Sequence, residues 1–116
     1  VSAIEAMSEA FSLVEKSGVD PKLLYDLLTQ TLFACHVYQN HGKAILEQRF
    51  VPPGFRLALG SKDIRLVRDT ARSSQVPMPL ASLLEDRFLR SLANGRGEMD
   101  WSGIALDQRD SAGLSR

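Results

Sequence analysis

Two groups of residues in this 116-residue chain are of types that chemistry uses. Cys35, His36 and His41 fall on one predicted helix and invite a metal or thiol reading. His36 and His41 are five apart, an offset of roughly 140° around a helix, whereas ligand pairs stand three or four apart. Cys35 and His36 are adjacent and cannot face each other. No metal site is predicted, and Cys35 reads as a small buried residue. The second group is Phe55, Lys62 and Asp63, at spacings of seven and eight on a helix predicted from Phe55 to about Ser74. Seven residues is close to two turns, so Phe55 and Lys62 would share a face with Asp63 beside it. An aromatic wall, a cation and a carboxylate on one stripe could line a polar ligand pocket. The same spacing fits a core phenylalanine beside a solvated charge network of Lys62, Asp63, Arg65 and Asp69, and spacing alone favours that reading. Lys43, Glu47 and Arg49 read as solvated charge. Gly95-Arg96-Gly97 reads as a turn, since no strand leads into it and no phosphate-loop Lys-Ser/Thr follows.

The elements that must position these residues are helical. Ala3, Ile4, Met7, Ala10, Phe11 and Val14 repeat at three and four, and Gly18 ends the run in the manner of a left-handed terminal residue. Asp20-Pro21 starts a second helix with a cap and a first-turn proline, and Leu23, Leu24, Leu27 and Leu28 supply its apolar face. A third is predicted from about Ala34 to Gln48. Pro52-Pro53-Gly54 and Val76-Pro77-Met78-Pro79 are breaks on either side of the fourth. A fifth carries Leu80, Leu83, Leu84, Phe88, Leu89 and Leu92 as its inward face and ends near Asn94-Gly95. A short last helix runs from Trp101 to about Gln108. No stretch alternates as a strand does. The fold class is all-α, with about five or six helices.

Composition narrows the partners. Apolar residues make up 44% and charged residues 24%, values of a globular chain with a real core. Fourteen basic residues balance fourteen acidic ones, which leaves no electrostatic footprint for nucleic acid or an anionic membrane. No apolar run approaches the roughly 18 residues of a spanning helix. A single cysteine excludes an internal disulfide framework and points to a reducing, cytoplasmic setting. The chain opens Val1-Ser2-Ala3, without Met and already inside a helical pattern, and is expected to be part of something longer.

The run from Gly54 to Val67, with its Gly-Phe, Leu and Lys-Asp-Ile, resembles a motif of the C-terminal helical domain of β-hydroxyacid dehydrogenases. This family includes 3-hydroxyisobutyrate dehydrogenase and tartronate semialdehyde reductase. Glu15-Lys16-Ser17-Gly18-Val19-Asp20-Pro21, Tyr38-Gln39-Asn40-His41-Gly42, Phe50 to Phe55, Val76 to Leu80 and Gly97 to Ser102 match further segments in order. The resemblance implies a 6-phosphogluconate dehydrogenase C-terminal domain-like fold over residues 1–116, closing over NAD or NADP and forming a homodimer. It assigns Lys62 to the cofactor, and Phe55 and Asp63 to the substrate pocket. The substrate would be a short β-hydroxy acid or semialdehyde.

The dinucleotide loop, the substrate-binding Ser-Gly-Gly segment and the acid/base lysine of that family would all lie upstream of Val1. Neither Lys16 nor Lys22 fits that lysine's motif. The resemblance therefore implies no catalytic residue here and an inactive chain when isolated. The alternative is a non-catalytic helical dimerisation module. DNA binding has only the helix count in its favour, since no basic recognition helix is present.

Overall fold

A computed structural model describes residues 1–115. Six α-helices follow one another: α1 (Ser2–Lys16), α2 (Pro21–Gln30), α3 (His36–Leu46), α4 (Leu57–Ser73), α5 (Pro79–Ala93) and α6 (Ile104–Ser111). The last is entered through a 3-10 turn, Trp101–Gly103. Among the described residues there is no strand, and the lone bridge pairs Arg56 with Asp100. The all-helical expectation holds. No helix among the described residues is long and apolar enough to cross a membrane.

Every described helix end but that of α2 shares one chemistry. Val19 N–H donates to Val14 O, Arg49 to Ala44, Val76 to Ala71, Arg96 to Ser91 and Leu114 to Arg109. Each bond reaches back five residues past a left-handed position and satisfies a carbonyl the helix would leave bare. Gly18 fills that position at the end of α1, as its sequence context predicts, but Gln48 and Gln75 fill it after α3 and α4, with φ of 49° and 55°. Asp20 caps α2 as expected, accepting from Lys22 N at 2.9 Å.

The core joins Ile4, Met7 and Phe11 of α1 to Ile45 of α3, Leu57 at the start of α4, Phe88 of α5 and Ile104, Ala105 and Leu106 of α6, with Phe50 from the connection before α4. Residues 102–107 are buried without a break, so α6 is the central post of the fold. One of them is Asp107, whose carboxylate accepts from Ser91 Oγ, from Asn94 Nδ2 at 2.8 Å and from an Arg96 N–H. A buried carboxylate is tolerated when its lone pairs are filled and a cation faces it, and here both conditions are met. Arg109 carries the same post to α1 through a two-pronged pair with Glu15.

Helices α4 and α5 depart from expectation. The fifth helix buries Ala81, Leu84, Phe88 and Ser91, while Leu80, Leu83 and Leu89 are 54%, 45% and 56% exposed. On α4 nothing beyond Gly60 is buried, and Leu59, Leu66 and Val67 face outward. The reason is geometric. Past Gly60 the two helices form a hairpin with no third layer among the described residues, so each hides one stripe only. An open apolar groove of about 420 Å³ lies along it, lined by Leu66, Val67, Ala71, Val76 and Met78 among others.

Gly60 is where this hairpin meets the core. A Cβ there would stand 2.9 Å from Phe88 Cζ and 3.3 Å from Trp101 Cε3. Phe88 is fully buried and has nowhere to move. Gly60→Ala is expected to cost about 1–3 kcal/mol by overpacking, lowering the urea midpoint with the slope unchanged. An unaltered midpoint would refute this close contact.

Candidate functional site

Residues 50–58 run beside residues 97–102 and are tied to them by several hydrogen bonds. Asp100 N–H donates to Phe50 O and Trp101 N–H to Phe55 O, both at 2.8 Å. Leu57 N–H donates to Met99 O at 2.8 Å and Ala58 N–H to Gly97 O at 3.0 Å. The last two explain how α4 starts without a side-chain cap: carbonyls of the facing loop take the N–H groups of its first turn.

Asp100 fastens the arrangement. Its Oδ2 accepts from Gly54 N and Phe55 N, each at 3.0 Å, and its Oδ1 accepts from Ser102 N at 2.9 Å and Ser102 Oγ at 2.5 Å. Burial alone would raise its carboxyl, but the Ser102 hydroxyl and three backbone N–H groups outweigh that and hold it below the usual carboxylate value.

Three rings meet above this knot. Phe55 lies edge-on to Trp101 with centroids 4.8 Å apart, and His41 of α3 meets Trp101 in the same manner at 5.7 Å. His41 is half-buried. Burial pulls its imidazole below its ordinary value while nearby Asp100 pulls the other way. Beside it, a cleft of about 520 Å³ opens between α3 and the 51–54 segment.

The sequence candidates are only partly brought together. Phe55 lies in the turn before α4, not on it, because Asp100 and the Trp101 amide hold its backbone out of helical geometry. It therefore does not share a helical face with Lys62, and the two-turn stripe is corrected. Lys62 and Asp63 do lie on α4, both exposed, with Lys62 Nζ 3.8 Å from Asp63 Oδ1. Lys62 is two residues past Gly60, so its side chain leaves α4 on the side away from Phe88. Its near neighbours on that outward face include Leu59 and Leu66.

Cys35 is exposed and stands just before α3, which overturns its expected burial. Residues 30–37 around it are all exposed. His36 faces Asn40, whose Nδ2 is 2.8 Å from His36 Nε2, while His41 turns to Trp101. Sequence reasoning passed over Asp100 and Trp101 as site residues. Asp-x-Ser entering a helix is a readable cap signal, but nothing local announces that the same carboxylate also reaches Gly54 and Phe55.

Residues 1–106 match a family described as "NAD-binding of NADP-dependent 3-hydroxyisobutyrate dehydrogenase". The chain belongs to this family. Similar proteins are an uncharacterized oxidoreductase of Bacillus subtilis, 38% identical over 90% of this chain and 36% of that protein, and a 2-hydroxy-3-oxopropionate reductase of Escherichia coli, 30% identical over 87% and 34%. The crystal structure of a 3-hydroxyisobutyrate dehydrogenase from Salmonella typhimurium superposes with a TM-score of 0.83 at 26% identity, over 91% of this chain and 37% of that one. This family member thus spans about a third of the length of the curated relatives it matches.

Asp100→Asn keeps the shape but turns one acceptor into a donor facing N–H groups. The loss is expected to be about 1–3 kcal/mol, with Trp101 emission shifting red as Phe55 loosens. The ionised carboxylate contributes stability at neutral pH. Because its folded value is depressed, that stability is present above about pH 4 and disappears as pH falls through the folded value, a fall that Asp100→Asn should not show. Identical acid-unfolding curves for the two proteins would overturn the role given to Asp100.

Proposed function

We propose that this chain is the C-terminal helical domain, with the 6-phosphogluconate dehydrogenase C-terminal domain-like fold, of an NAD- or NADP-dependent dehydrogenase acting on a short β-hydroxy acid or semialdehyde. The family match over residues 1–106 carries this reading. The remaining two thirds of its relatives' length leaves room for a dinucleotide-binding domain and the acid/base lysine. By itself the chain is inactive.

The residues present suit a cofactor-facing role. Lys62 is an exposed ammonium whose partner, Asp63, is adjacent in sequence, exposed and 3.8 Å away, so the pair contributes little and the stem is free to reach across a cleft. Its position among outward Leu59 and Leu66 suits a surface that another domain covers. A bound nicotinamide would supply the hydride chemistry. Lys62 would hydrogen-bond oxygens of that cofactor. Phe55, held by Asp100 and braced on Trp101, forms a rigid apolar wall that keeps water from the reacting carbon. Asp63 tempers the charge of Lys62 and offers an acceptor to a substrate hydroxyl.

The outward leucines of α2, α4 and α5 suit association into a homodimer. A cytoplasmic setting goes with this reading. Sedimentation of the protein carrying this domain should give a dimer, and a clean monomer at high concentration would count against it. In that protein Lys62→Ala is expected to weaken NAD(P)H binding about tenfold, the worth of one charge-assisted hydrogen bond, and to leave turnover at saturating cofactor nearly intact. Unchanged cofactor affinity would remove Lys62 from the site.

A further inference from the structure

We propose that the cleft between α3 and the 51–54 segment is a subsite for a small carboxylate, with His41 as its hydrogen-bond donor and Lys43 and Arg49 as its cations. The cleft holds about 520 Å³, roomy for a three- or four-carbon acid with water, and is lined by His41, Lys43, Glu47, Arg49, Gly54 and Asp100. Its wall is continuous with the knot around Phe55, because Gly54 precedes Phe55 and His41 shares Trp101 with it. The choice of a hydroxy acid as ligand rests on the function proposed above.

The chemistry of the lining decides the class of ligand. Asp100 has its oxygens filled by four protein donors and does not compete as an acceptor. Glu47 meets Lys43 at 3.9 Å and Arg49 at 3.7 Å, long exposed pairs worth little, so both cations can turn to an incoming anion. The charged or titratable groups around His41 are Asp100 ahead of the 3-10 turn, His36 on its own helix, and the cleft's Lys43, Glu47 and Arg49. Half-buried and neutral, the imidazole offers a ring N–H near neutral pH. A carboxylate placed against it favours the imidazolium, so binding takes up a proton.

Trp101, the one tryptophan in the sequence, stands against His41 and reports on it. The test titrates the 116-residue chain with 3-hydroxypropionate against chloride at equal ionic strength, following Trp101 emission, with far-UV circular dichroism to verify the helices. A saturable change is expected with the hydroxy acid and none with chloride. His41→Phe, which keeps a ring against Trp101, and Lys43→Gln should each weaken binding about tenfold. Glu47→Gln should tighten it. In the unsubstituted chain affinity should rise as pH falls from neutrality and His41 takes up its proton, and His41→Phe should abolish that dependence while keeping the fold. No saturable change, an equal response to chloride, or undiminished binding in His41→Phe would each overturn the subsite. Binding by this chain without hydride transfer by the longer protein would sink the dehydrogenase reading and leave the subsite standing.

Discussion

Asp100 is a single carboxylate on which four hydrogen-bond donors converge, and most of what is specific about this domain hangs from it. Two donors come from the backbone at Gly54 and Phe55, and two come from Ser102. An anion filled in this way is stable in a half-buried place and rigid, since moving either segment leaves N–H groups without partners. The knot stops α4 from starting early, stands Phe55 against Trp101 and gives the 3-10 turn into α6 its cap. The core would exist without it, but the aromatic cluster would not be held.

Around that point the fold divides into two materials. The half built from α1, α3, α6 and the C-terminal end of α5 is a packed core in which even the carboxylate of Asp107 is fully partnered. The hairpin beyond Gly60 is a single pair of helices with leucines on the outside. Stability lies in the first half, and the second presents surface. Lys62 stands at the junction, rooted by Gly60 and yet exposed.

The sequence made much of the helical order legible, because apolar residues recur at three and four, prolines start α2 and α5, and Gly18 and Asp20 mark a boundary with their own conformational chemistry. The end of α4 was announced only by the proline-rich stretch after it, since glutamine takes the left-handed position there. Which apolar residues lie inside was less legible. Leu80, Leu83 and Leu89 look as inward as Leu84 and Phe88 in a periodic pattern, and only the absence of a third layer tells them apart. For the site, the family motif marked Phe55, Lys62 and Asp63, whereas the spacing that put Phe55 on α4 failed. The failure came from a contact 45 residues away in sequence, the bond from Phe55 N to Asp100, and no local pattern carries that.

The anchoring of the α4–α5 hairpin makes it a lever with its fulcrum at Gly60, wedged between Phe88 and Trp101. At about 1.5 Å of rise per residue, Lys62 is roughly 3 Å along the arm and Ser73 is roughly 20 Å along it. A sway that carries the tip through several ångströms moves the root of Lys62 by only about one sixth as much. The outer helices can thus adjust to whatever covers them while the ammonium keeps its register with Phe55. Compliance and precision are separated along one helix by distance from a single glycine.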